Sequence, residues 1–141
     1  MMNQKAVSVR VTRRFTASAE RVFDAWLDVE RARQFLFATS TGEMVRAEID
    51  PRVGGRFLFV DRRQGQDVEH VGTYLEIDRP RRLVFTFAVT GAEGETRVTI
   101  DIRPLDVGCE LTLTHEGVPE DYADRTESGW ATILDAIARA L

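Results

Sequence analysis

Few side chains in this sequence are equipped for chemistry. There are two histidines, His70 and His115, and one cysteine, Cys109. His115 follows Leu111 and Leu113 at two-residue spacing, so its ring shares the inward face of a half-buried strand. There it could donate a hydrogen bond to a ligand or act as a general base. The plainer alternative is a core histidine bonded to backbone or water, because buried polar groups are normally satisfied. His70 and Tyr74 share a strand face opposite Val71, Leu75 and Ile77. If Val71 and Leu75 are core, His70 and Tyr74 face solvent; a bulge near Gly72 would reverse that parity partway. Both arrangements stay open.

Cys109 lies in an apolar strand pattern and reads as a small buried thiol; alone, it forms no intramolecular disulfide. No cysteine–histidine cluster has zinc-site spacing, so neither a metal nor a cofactor is expected. No nucleophile elbow, phosphate loop or dinucleotide fingerprint occurs. No catalytic residue is therefore assigned, and an enzyme would have to rely on scattered residues such as His115. The arginine-rich turns, Arg62-Arg63 and Arg79 to Arg82, could bind an anion, but Asp61, Asp67 and Asp78 beside them favour a solvated charged loop.

These residues must be positioned by short elements. Val7, Val9, Val11 and Phe15 alternate with polar residues, which predicts a strand. Ser18 is placed to cap a helix carrying Val22, Phe23, Trp26 and Leu27 on one face, and Asp28 to cap a second short helix to about Leu36. Strands follow over Met44–Ile49, around Phe57 and Phe59, Val68–Ile77, Leu83–Val89, Val98–Ile102 and Cys109–His115. They are separated by turns at 50–55, 62–67, 78–81, 91–94 and 106–108. Such tight turns leave no room for parallel crossovers, so the strands form an antiparallel meander. From Pro119, as first helical residue, a stripe of Trp130, Ile133, Leu134, Ile137 and Leu141 predicts a helix of about 22 residues, roughly 33 Å long. Gly129 in its middle costs about 1 kcal/mol relative to alanine; close helix packing is the favoured reason, space for a ligand the other.

The 141 residues fit one domain, 1–141, of α+β class: a curved antiparallel sheet of six to seven strands around a long C-terminal helix, with two short helices after the first strand. Apolar residues are 43% and charged residues 30%, an ordinary globular balance. The net charge of −4 disfavours nonspecific nucleic-acid or anionic-membrane binding. The Met-Met-Asn-Gln-Lys start leads into no continuous apolar stretch and no window is long enough to span a bilayer, so the cytoplasm is the expected location. A curved sheet and a straight helix fit imperfectly, and the gap between them is where an apolar pocket would lie.

The runs Gly54-Gly55-Arg56-Phe57-Leu58-Phe59, Gly72 to Phe85, Leu111 to Pro119 and Gly129-Trp130 with Ile133-Leu134, together with Ala17 to Trp26, resemble the family related to the activator of the heat-shock protein 90 ATPase. The resemblance spans nearly the whole chain in order. It implies the START-like, or SRPBCC, helix-grip fold, with a deep cavity for hydrophobic ligands. Where members often carry a tryptophan-rich segment, at the cavity mouth, this chain reads Gln34-Phe35-Leu36-Phe37-Ala38.

Three functions are expected to compete. The first is binding of a small hydrophobic molecule for carriage, sequestration or sensing, with Trp26, Phe57, Phe59, Tyr74, Phe85, Phe87, His115, Trp130 and Ile133 as lining residues; Phe57, Phe59, Phe85, Phe87 and Trp130 are more often plain core, but in this fold the core wall is also the cavity wall. The second is a cyclase-like or hydrolytic enzyme using His115, with or without Tyr74, as acid and base. The third, a co-chaperone stimulating a heat-shock ATPase, is disfavoured because the chain lacks room for the additional N-terminal domain of the eukaryotic activator. An exposed sheet edge would permit a homodimer.

Overall fold

The computed structural model describes residues 5–92 and 94–141; Met1–Gln4, the start of the chain, and Glu93, within the Gly91–Gly94 turn, lie outside the described residues. Strand β1 (Ala6–Phe15) buries Val9, Val11 and Phe15 and exposes the polar residues between them. Helix α1 (Ala19–Leu27) begins where the Ser18 hydroxyl accepts the Arg21 N–H at 3.2 Å, and α2 (Val29–Phe35) where the Asp28 carboxylate accepts the Glu30 N–H at 3.1 Å. Both caps are the ones the sequence predicts. Then come β2 (Glu43–Ile49), β3 (Arg56–Arg63), β4 (Gln66–Asp78), β5 (Arg82–Val89), β6 (Thr96–Pro104) and β7 (Cys109–Pro119). Gln64 and Gly65, at φ of 52° and 79°, turn β3 into β4 in two residues. That is the mirror-image turn whose twist matches a hairpin.

All seven strands form one antiparallel sheet in the order β1-β7-β6-β5-β4-β3-β2. The α1–α2 segment carries the chain from one sheet edge to the other. Register shifts in β1, β2 and β4 bend the sheet. Helix α3 (Ala123–Ala140) packs on β1, β7 and α2 and buries Trp130, Leu134 and Ile137. This is the helix-grip arrangement that the sequence implies. The helix is shorter at its start than periodicity suggests: Pro119 ends β7, and a 3-10 turn over Glu120–Tyr122 precedes 18 α-helical residues, about 27 Å of helix. Proline suits a helix start, but Pro119 lies opposite Ala6 in the β1–β7 ladder, which extends the strand that far.

The parity of β4 resolves inward for both open residues. His70 is 5% and Tyr74 3% exposed, while Leu75 is 39% exposed. The partners explain it: His70 lies opposite Phe59 and Tyr74 opposite Phe85, both facing the core. Leu75 points outward by plain alternation with Tyr74; the register shift falls after Tyr74, not at Gly72, and lets Ile77, two residues beyond Leu75, pack against the core. Gly72 serves another purpose. A Cβ there would stand 2.0 Å from the Thr86 carbonyl oxygen and 2.4 Å from the Phe57 ring, so the ring uses the space a side chain would fill. Gly72→Ala is expected to destabilise the protein by about 1–3 kcal/mol, read from a urea-unfolding midpoint, because a backbone oxygen and a packed ring must both move. An unchanged midpoint would contradict this packing.

Candidate ligand-binding site

His115 projects from β7 toward α3 and is 4% exposed. The Trp130 indole N–H donates to its Nδ1 at 2.9 Å. Indole has only a donor there, so the imidazole proton resides on Nε2. Nε2–H donates to the Thr96 hydroxyl at 2.6 Å, and that hydroxyl donates to the Phe87 carbonyl at 3.1 Å. The relay joins α3, β7, β6 and β5, and both ring nitrogens are engaged. A general base needs a free lone pair, and the one on Nδ1 is held by Trp130.

The second histidine sits across the core. His70 Nδ1 lies 3.2 Å from the Phe59 carbonyl oxygen. An oxygen can only accept, so the proton is on Nδ1 and Nε2 is the acceptor. Phe37 stacks flat on the His70 ring, with centroids 4.6 Å apart and planes within 3°, and also meets Phe57, Phe59, Phe87 and Trp130. Phe37 therefore fills the centre of the gap between sheet and helix. It does so from a backbone φ of 60°, a left-handed conformation that costs a non-glycine residue about 1–2 kcal/mol. Its segment is tied down from β3. Arg63 donates through Nη2 to the Phe37 carbonyl at 3.2 Å and through Nε to Asp61 Oδ2 at 2.8 Å. Asp61 is wholly buried and also accepts from the Thr39 hydroxyl, while its Oδ1 takes no protein partner among the described residues.

Beside this plug, two hollows remain open. One, about 330 Å³, is lined by Phe37, Phe87, Trp130 and Ile133, with His70, His115, Arg63, Arg125, Thr126 and Gly129 around them. The other, about 610 Å³, extends between the β5–β6 hairpin and the start of α3, past Val89, Val118 and Tyr122. Phe87, His115 and Thr126 line both, so they form the divide between the two hollows. A further hollow at the far end of α3, near Arg14, Arg21 and Leu141, has Phe15 as its one aromatic ring and touches neither histidine.

Of the nine lining residues expected from sequence, Phe87, His115, Trp130 and Ile133 border these hollows. Phe57, Phe59, Tyr74 and Phe85 are buried behind Phe37 in the aromatic core, and Trp26 packs on Phe35 beneath α1, its indole N–H without a partner among the described residues. Met44 is half-buried and packs against the core. Phe37, Thr126 and Arg125 were not singled out by sequence reasoning. The one signal for Phe37 was the departure at residues 34–38. The favoured reading of Gly129 is overturned: it is exposed, and a Cβ there would meet nothing within 4 Å. Its cost to the helix has no packing reason, and it leaves open space at the mouth of the smaller hollow. Gly129→Ala is expected to raise stability by up to about 1 kcal/mol in a thermal or urea melt; a loss would mean the glycine is needed by the backbone.

Both histidines are neutral near pH 7. Burial lowers His115 from 6.5 to about 4. Burial is also the main cause that lowers His70 to about 4, with Arg63 adding to it and the Phe59 carbonyl opposing. The unfolded chain takes up these protons below about pH 6.5, the folded chain only near pH 4. Between those values the unfolded state binds more protons, so stability is full above pH 6.5 and falls as pH drops to 4. The loss is expected to reach about 3 kcal/mol per histidine, measured by urea unfolding across that range. Long-range proton–nitrogen NMR at neutral pH should find the His115 proton on Nε2 and the His70 proton on Nδ1.

Among the described residues no group of three or more histidine, cysteine, aspartate or glutamate side chains is placed to hold a metal ion, and no helix is long and apolar enough to cross a membrane. The family model described as "Activator of Hsp90 ATPase homolog 1-like protein" matches residues 16–141. No curated protein matches in sequence. Among solved structures, a protein of Chromobacterium violaceum is 27% identical with a TM-score of 0.84, the match covering 94% of each chain. A protein of unknown function from Staphylococcus aureus is 17% identical with a TM-score of 0.86, over 97% of this chain and 94% of that one. An AHSA1-like protein from Aeromonas hydrophila is 20% identical with a TM-score of 0.79, over 95% and 91%.

Proposed function

The chain belongs to the Activator of Hsp90 ATPase homolog 1-like family, and we propose that this protein is a binding module for a small, largely apolar molecule. The observation that carries the reading is the pair of open hollows meeting at Phe87, His115 and Thr126, floored by aromatic rings and placed where sheet and helix diverge. Apolar concavities with a few convergent polar groups are the usual form of small-molecule sites. The Trp130–His115–Thr96 relay supports binding over acid–base chemistry, because it holds His115 in one tautomer with neither nitrogen free. Carriage, sequestration and sensing would all use the same pocket.

Native mass spectrometry of the purified protein, with extraction of anything bound, is the direct test. Its companion is a calorimetric titration with the neutral probe 2-naphthalenemethanol. Saturable binding is expected, and Thr126→Trp, which fills the divide between the hollows from the half-buried face of α3, should abolish it with the melting temperature retained. No bound molecule and no saturable probe would sink the reading.

A further inference from the structure

We propose that the preferred ligand is an amphiphile whose apolar body lies on the Phe37, Phe87 and Trp130 floor and whose carboxylate head is held at the mouth by Arg125, with Arg63 close by. This rests on the pocket reading above and adds the charge of the ligand. The described residues lining the two hollows include two charged groups, Arg63 and Arg125, and no carboxylate. Arg63 is paired with the buried Asp61, so Arg125 is the uncompensated charge among those lining residues, a positive one in a chain of net charge −4. A mouth that carries the Arg125 guanidinium over an apolar floor is complementary to a molecule that is apolar at one end and anionic at the other.

The two arginines differ in how far they are already committed. Arg63 spends its Nε on Asp61 and its Nη2 on the Phe37 carbonyl. Arg125 has no carboxylate partner among the described residues; its guanidinium lies 4.6 Å from the centre of the Tyr122 ring, a contact that leaves its in-plane N–H donors free. A free guanidinium fork matches a carboxylate in geometry, which a lysine ammonium would not. One turn along the same helix, Gly129 stands on the same edge of the hollow, and its missing side chain keeps the approach open. The histidines cannot supply the charge, being neutral near pH 7 in the tautomers their partners fix.

The test is a matched pair of probes with one ring system, 2-naphthoate and 2-naphthalenemethanol, titrated by calorimetry at low and high salt. The carboxylate is expected to bind about tenfold more tightly at low salt, since its bonds to arginine are charge-assisted. The advantage should shrink as salt screens the exposed mouth. Arg125→Gln, an exposed change, should erase the advantage while leaving the alcohol's affinity and the melting temperature unchanged. Equal affinities, tighter binding of the alcohol, or an advantage that survives Arg125→Gln would overturn the charge preference and leave the pocket reading standing. Failure of both probes to bind would remove the two together.

Discussion

The bond from the Trp130 indole to His115 is the contact on which the rest of this architecture turns. It fixes the rotation of α3 about its own axis against β7, and the onward bonds through Thr96 to the Phe87 carbonyl extend that anchor across two more strands. Each bond alone adds about 0.5–1.5 kcal/mol, but a buried donor left without a partner costs about 1–3 kcal/mol, so the relay penalises any other seating of the helix. With Trp130 held, Leu134 and Ile137 fall on the core side, and Arg125, Thr126 and Gly129 fall at the rim of the hollows.

The relay also shapes the chemistry. A histidine inside a pocket invites a catalytic reading, yet here the ring is a joint: it accepts from one element and donates to another. Its low pKa of about 4 follows from burial, and the same geometry opposes protonation, because an imidazolium has no lone pair for the Trp130 N–H. Phe37 makes a comparable trade. A deep cavity would leave one side of the Phe57, Phe59 and Trp130 rings uncovered, the side on which each now meets Phe37. The segment after α2 instead sends a ring into that space, at the cost of a left-handed backbone held by Arg63 and the buried Asp61. Between sheet and helix, the two hollows lie beside that ring rather than in one deep cavity.

Much of the framework was legible in the amino-acid order. Alternation in β1, β5, β6 and β7, the Ser18 and Asp28 caps and the apolar stripe on α3 are local signals with fixed periods, and their partners lie within a few residues. Tight turns forced antiparallel pairing, and the inward direction of His115 followed from Leu111 and Leu113. The parity of β4 was not legible. Val71 and Leu75 point one way by hydrophobicity, but Phe59 and Phe85 on neighbouring strands pull His70 and Tyr74 to the core.

By itself, then, the sequence determined the α+β class, the antiparallel order and the long closing helix, because hydrophobic period and turn chemistry act over short stretches of chain. Tertiary structure alone decided which rings are floor and which are core, the tautomer of each histidine, and the insertion of Phe37. Those depend on atoms that come from residues distant in sequence, such as Trp130 and Thr96 around His115, or Arg63 behind Phe37. No local pattern encodes a hydrogen bond or a stacked ring between such partners until the sheet and helix have closed.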